Sequence, residues 1–250
     1  MSSLNSRIPI KNLLSTITLE DSIGHSTFNS GQLQVTRRLA RGIGASVAYT
    51  LQKGISDSST FGSSIVQIEG NLAAERAIMP MPHQDLSVRF NYQTLAGNQR
   101  SEFIYKVIRG WQLFGTYDVN TGTPFTATVG GDPSGTGLTG SSRANATGLP
   151  VTDGSGYFNG DAFTTVPSGT FGTAGRNTIP GIVNFSINAS AMRTFRFGER
   201  HRLAFTFSTT NPLNHVSITA FGTQVGNQNY GFATNAAGMH TVRASARFTF

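Results

Sequence analysis

The chain has 250 residues; 12% are charged and 38% are hydrophobic, there is no cysteine, and the formal net charge is +7. The charged share is about half that of an ordinary soluble domain, and Gly, Ser, Thr and Asn rather than apolar residues fill the gap. That balance fits neither a helical enzyme nor a helical membrane protein, and without cysteine there is no thiolate catalysis, disulfide or cysteine-held metal.

The positive charge is carried by arginine, the lysines being Lys11, Lys53 and Lys106. These arginines stand singly, with no basic block interleaved with aromatics, so nucleic acid is not an expected partner. A polar interior or anionic lipid headgroups suit them better. No stretch approaches about 18 consecutive apolar residues, which excludes a transmembrane helix. The opening segment MSSLNSRIPIKNLLSTITLEDS has neither an uninterrupted apolar core nor a small-residue cleavage site, so it is not a signal peptide. For an exported protein this creates the expectation that further sequence precedes Met1.

In chain order, residues 1–30 are expected to hold a loop and a weak strand from about Leu14 to Glu20; residues 31–250 hold clear strands. Leu33 and Val35 alternate with Gln34 and Thr36. Ile43, Ala45, Val47, Tyr49 and Leu51 alternate with Gly44, Ser46, Ala48 and Thr50. Leu86, Val88, Phe90 and Tyr92 do the same with Ser87, Arg89, Asn91 and Gln93. Trp111, Leu113, Gly115, Tyr117 and Val119 alternate with mostly polar residues, broken by Phe114. Val183, Phe185, Ile187, Ala189 and Ala191 follow, then Leu203, Phe205 and Phe207, and last Val242, Ala244, Ala246, Phe248 and Phe250. Successive side chains of a strand point to opposite faces, so each segment has one apolar and one polar face.

The links sort these strands further. Those after the first, third and fifth clear strands are short or moderate (residues 40–42, 96–109 and 197–200). Those after the second, fourth and sixth are long (residues 53–84, 122–181 and 212–238). Short and long links that alternate place every long loop at one end, as in a membrane-spanning barrel with short periplasmic turns and long extracellular loops. Strands of about ten residues, rising about 3.3 Å each and tilted about 40°, span roughly 25 Å, the height of an outer-membrane apolar band. Tyr49, Trp111, Tyr117, Phe195 and Phe197, with Phe248 and Phe250, fall toward strand ends on the apolar side, where interfacial girdles belong. The expected fold is therefore all-β: an antiparallel transmembrane barrel segment of about eight strands.

The closing strand Thr241 to Phe250, ending in an aromatic, resembles the C-terminal assembly signature of bacterial outer-membrane barrels. In those proteins the insertion machinery reads the last strand, here through Val242, Ala244, Ala246, Phe248 and Phe250. Four further segments resemble the Oar-like TonB-dependent receptors. They are RRLARGIGASVAYTLQKGISD (Arg37 to Asp57), NLAAERA (Asn71 to Ala77) with DLSVRFNYQ (Asp85 to Gln93), RGWQLFGTYDVNTGTPFTATVGGD (Arg109 to Asp132), and the ordered motifs YFNGDAF, FGTAGRN and NPLNHV from Tyr157, Phe171 and Asn211. The resemblance covers residues 32–250. It implies the last part of a barrel of about 22 strands, whose plug and TonB-contacting box lie upstream, and hence a piece unable to drive energised transport alone. Its implied partners are outer-membrane lipid, the barrel-assembly machinery, the TonB system through the plug, and a ligand that is an oligosaccharide, a peptide or a chelated metal.

Two other readings stay open: a complete eight-stranded barrel acting as adhesin or pore, within the even counts such barrels allow, and a soluble sugar-binding β-sandwich. Motifs for chemistry are weak. The Gly135–Gly140 stretch reads G-x-G-x-x-G, but within a Gly/Ser/Thr-rich loop rather than between a strand and a helix. Asp153 to Gly156 with Asp161 is oxygen-rich but lacks EF-hand order. His25, His83, His201, His215 and His240 lack metal-ligand spacing; His215 fits a turn at a strand rim. No enzyme, metal or cofactor is expected. The long loops, above all residues 122–181, are expected to meet the ligand, with a composition that favours mobility and hydrogen bonding over a preformed charged pocket.

Overall fold

A computed structural model of the chain describes residues 22–58, 66–68, 70–94, 109–137, 142–152 and 156–250. The weak strand expected at Leu14 to Glu20 lies outside the described residues. Among those residues are fourteen strands. Seven are long: β1 (Ser26–Ala40), β2 (Ile43–Ser56), β4 (Gln84–Gln93), β5 (Trp111–Asn120), β9 (Asn184–Phe197), β10 (His201–Thr210) and β14 (Thr241–Thr249). The rest are short: β3 (Ala77–Ile78), β6 (Thr128–Val129), β7 (Asn145–Ala146), β8 (Phe163–Thr164), β11 (Ile218–Phe221), β12 (Gln224–Val225) and β13 (Ala233–Ala236).

The long strands form one antiparallel meander in the order β1-β2-β4-β5-β9-β10-β14, with β3 beside β2. Each long strand pairs with the next long strand in the chain. The sheet is open between β1 and β14, so the barrel is not closed among the described residues. Local chemistry explains the tight links. Arg41 and Gly42 both take positive φ (52° and 81°), the twist of a two-residue hairpin that continues the right-handed twist of its strands. Gly198, at φ 66°, opens the three-residue turn between β9 and β10.

The register puts the alternation of seven separate strands onto two common faces. One cross-strand row reads Ile43, Tyr92, Leu113, Ala191, Phe207, Ala244. A row three positions away, on the opposite face, reads Thr36, Ser46, Arg89, Thr116, Asn188, Thr210, Thr241. The polar rows are partly stitched by their own side chains, as where Asn188 Nδ2 donates to Thr116 Oγ1 at 3.2 Å. Phe114 faces the polar side, between Asn91 and Ser190. The apolar face is not covered by a second layer: Leu33, Val47, Phe90, Phe207 and Val242 are among its exposed residues. A sandwich would bury that face under another sheet, so the soluble reading fails.

Three strands run longer than their apolar alternation. β1 starts at Ser26, β2 continues to Ser56 and β9 to Phe197, because backbone pairing continues where the apolar pattern lapses. In contrast, β14 stops at Thr249, and Phe250 stands one residue past it.

The second long loop leaves and re-enters the sheet at a pair of glycines packed backbone to backbone. Gly122 has φ +70°, and a Cβ there would lie 2.2 Å from the Ile182 oxygen; one on Gly181 would lie 2.5 Å from the Gly122 carbonyl carbon. Replacing Gly181 by Val is expected to destabilise the fold by about 1–3 kcal/mol, the usual cost of forcing atoms into a filled site. Denaturant unfolding in micelles, followed by the fluorescence of Trp111, measures that loss.

Candidate functional site

The long links all leave the same end of the sheet: residues 57–83, 121–183 and 211–240, called here the first, second and third loops. They contain the buried core of the described chain. Ala127, Val129, Ala144, Phe158, Ala162, Phe163, Ala174 and Ile179 of the second loop pack with Phe221 of the third. In its described residues the loop expected to be mobile is folded instead, and the reason is visible in its pairing. Phe125 and Ile179 exchange backbone hydrogen bonds of 2.8 and 3.0 Å, which zips the two ends of the loop together. β7 and β8 pair within it, and β6 pairs in parallel with β12 of the third loop. The Phe221 ring sits 4.5 Å from Phe125 and 5.3 Å from Phe158, centroid to centroid, and the Tyr230 hydroxyl donates to the Gly160 carbonyl at 2.9 Å.

A buried ionic latch joins the first loop to the second. A 3-10 turn, Leu72–Glu75, is capped by the Asn71 side chain, which accepts from the Ala74 amide. The turn delivers Glu75, whose side chain is 2% exposed, between Arg143 at 3.1 Å and Arg176 at 3.4 Å. Further hydrogen bonds tie the cluster together, although the buried Arg143 Nε has no partner. Glu75 Oε1 accepts from the Gln67 amide at 3.0 Å, Gln67 Oε1 accepts from the Arg143 amide at 2.8 Å, and Gln67 Nε2 donates to the Gly172 carbonyl at 2.8 Å. Arg176 also donates to the carbonyls of Glu75 and Ser56, each at 2.8 Å. A charged cluster is therefore built into the loops as an internal fastening, with Glu75 closed off from solvent rather than lining a pocket. Two of the quoted motifs meet here: NLAAERA supplies Glu75 and FGTAGRN supplies Arg176, 101 residues away.

Residues 1–245 match the family described as outer membrane beta barrel domain. The chain belongs to that family. No curated protein and no solved structure matches it. Membership places this outer-membrane β-barrel domain in the bacterial outer membrane, where an exposed apolar sheet face is the ordinary outer surface of a barrel.

Within this domain, Tyr49, Trp111, Tyr117, Phe195 and Phe197 lie on the apolar face, at two levels. Tyr49 is in one row with Leu86, Val119 and Phe185 near the loop end, with Tyr117 one step below. Its hydroxyl donates to Gln84 at 3.1 Å. Trp111, Phe195 and Phe197 lie toward the short turns, where Phe195 shares a row with Leu203 and Phe248. Trp111 and Val119 stand eight residues apart on β5, roughly 26 Å of strand at about 3.3 Å per residue. Val242, Ala244, Ala246 and Phe248 share the apolar face of the edge strand β14, and the Phe250 ring stacks 6.1 Å from that of Phe248. The two groups are separate: the terminal strand is at an open edge, while the latch and aromatic cluster form the loop cap.

Other flagged residues are accounted for as turns. Asp132 caps Ser134, Thr136 and Gly137 within the Gly-rich stretch, whose last three residues lie outside the described set, as do Asp153 to Ser155. Asn211, at φ 48°, brackets His215 with two side-chain hydrogen bonds, and the His215 ring stacks on Phe185 at 4.3 Å. The latch leaves no local signal in the sequence, because Glu75 and Arg176 stand 101 residues apart.

Two outcomes are expected. Replacing Glu75 by Gln leaves the buried Arg143 without its counter-charge and the partly buried Arg176 with only the more distant Asp57, and removing one partner of a buried pair costs about 3–5 kcal/mol. Hydrogen exchange should show faster exchange in the cap amides while the amides of β4, β5 and β9 stay protected. Second, burial, with a smaller push from Asp161, raises the Tyr230 phenol to about 12. The folded form therefore favours the protonated phenol. This stabilisation is complete below the ordinary tyrosine value near 10 and is lost as pH rises through about 12. A tyrosinate absorbance titration should show one phenol ionising late, and Tyr230→Phe should remove that late phase.

Proposed function

We propose that this domain supplies the C-terminal wall and ligand-facing cap of a TonB-dependent outer-membrane receptor for nutrient uptake. The observation that carries the reading is the cap. Three loops separated along the chain are gathered at one end of the sheet into a single packed unit, which is more than a passive pore needs. The order of the Oar-like motifs supports the same reading, since Glu75 and Arg176 of two of them hold that unit together. The open edge between β1 and β14 supports a wall completed by strands outside these residues, and the plug that engages TonB would likewise come from outside them. The apolar face would meet lipid, β14 would be read by the assembly machinery, and the cap would meet an oligosaccharide, a peptide or a chelated metal. In this reading the domain binds and admits, without catalysis or a cofactor.

The test is uptake in cells lacking the encoding gene, across a panel of oligosaccharides, peptides and ferric chelates, with and without collapse of the proton-motive force. The expected result is energy-dependent uptake of one class that is lost on deletion. A chromosomal Glu75→Gln change should reduce it about tenfold or more, matching a loss of at least about 1.4 kcal/mol in ligand engagement. Uptake that persists unchanged when the force is collapsed would instead indicate a small passive barrel and sink the receptor reading.

A further inference from the structure

The polar face is not uniformly neutral. At the short-turn end, Arg196 of β9 stands directly opposite Arg202 of β10, and Arg202 is in turn opposite Thr249 of β14. In the next row of the same face, Thr194, Ala204 and Arg247 stand side by side. Ala204 is thus a small floor, with Arg202 below it on its own strand, Arg247 beside it and Arg196 on the diagonal. Neighbouring strands are about 4.8 Å apart, and alternate residues of one strand about 6.7 Å, so the three guanidiniums can converge over that methyl group.

Like charges directly opposite one another weaken an antiparallel pair, and here none of the three is paired with a carboxylate. Arg196, Arg202 and Arg247 are exposed, and among the described residues none of the three forms an ion pair or a side-chain hydrogen bond. The acidic residues of the same face, Asp85 and Asp118, lie toward the loop end, beside Asn120 and Ser87. Glu199, in the β9–β10 turn, is also free of any ion pair. Arginine's planar fork matches the oxygens of a phosphate group, and the hydroxyls of Thr194 and Thr249, in the same two rows, can donate as well.

We propose that this cluster is a binding site for a multiply charged oxyanion, a phosphate or the phosphate group of a solute, held by Arg196, Arg202 and Arg247 over Ala204. The site stands on the polar face alone. It does not depend on the receptor reading, and its failure would leave that reading untouched.

The experiment uses the full chain folded in uncharged detergent micelles, with inorganic pyrophosphate as the probe. Titration calorimetry should show saturable binding that weakens as salt rises, because screening cuts exposed charge contacts. Arg202→Gln and Arg247→Gln should each weaken binding tenfold or more, while Arg89→Gln, a polar-face arginine outside the cluster, should leave it unchanged. Unfolding gives an independent readout. Without anion, Arg202→Gln should raise the denaturant midpoint by relieving the repulsion, and pyrophosphate should stabilise the wild type but not this variant. No saturable binding, an equal loss in Arg89→Gln, or equal stabilisation of Arg202→Gln by pyrophosphate would each overturn the proposal.

Discussion

In the hydrocarbon of a membrane a backbone amide has no water to pair with, so every spanning residue must find its hydrogen-bond partners in the protein. The sheet here is organised by that constraint. Its seven long strands pair in chain order, each internal strand satisfied on both sides, and the faces are left to match the surrounding media. A single sheet layer has no interior of its own. Its apolar residues therefore face outward, and a modest hydrophobic share suffices, which is why the composition resembles neither a soluble enzyme nor a helical membrane protein.

The same constraint relocates the core. With no second layer behind the sheet, the place to bury side chains is the loop end, and the buried hydrophobics of the described residues are found there, in the second and third loops. Glu75 and its two arginines add specificity to that packing more than they add stability. Burying ions is costly, and replacing a buried ion pair with apolar residues of like size is often neutral. What the latch does supply is a specific pairing between two loops, since Glu75 must lie between Arg143 and Arg176 while the Gln67 side chain bonds the Arg143 amide and the Gly172 carbonyl. A cap so joined moves as one body or opens by breaking the latch.

The strands were legible because their signal is local: two faces in two media force an alternation that any five residues display. Ile43 to Leu51 and Leu86 to Tyr92 could be placed from their own side chains, and the alternation of long and short links supplied the direction. The cap was illegible for the opposite reason. A glycine- and serine-rich loop looks like a solvated chain until one knows that Phe125 meets Ile179 and that Gln67 meets Gly172, contacts spanning 54 and 105 residues respectively. Such contacts depend on where the sheet has already placed the loop ends. Composition described the loops' polarity correctly and their order incorrectly.

Arg193 shows where the alternation rule itself bends. The apolar pattern of β9 lapses after Ala191, and a reading that ends the strand there loses its last turn-side residues up to Phe197. The register puts Arg193 on the apolar face, opposite Trp111 on one side and Phe205 on the other. Its guanidinium lies 4.4 Å from the Phe195 ring centre and 5.8 Å from that of Trp111. A cation over aromatic faces gains about 0.5–2 kcal/mol, and the long stem lets the charge reach toward the interface while its methylenes stay against apolar surface. At this depth, close to the short turns, the medium is changing from hydrocarbon to headgroups, so a charged residue is no longer an error in the pattern. The break in alternation therefore marks the edge of the membrane rather than the end of the strand, and the same logic applies to Arg37, which faces the apolar side of β1 opposite Ala45, just before the hairpin.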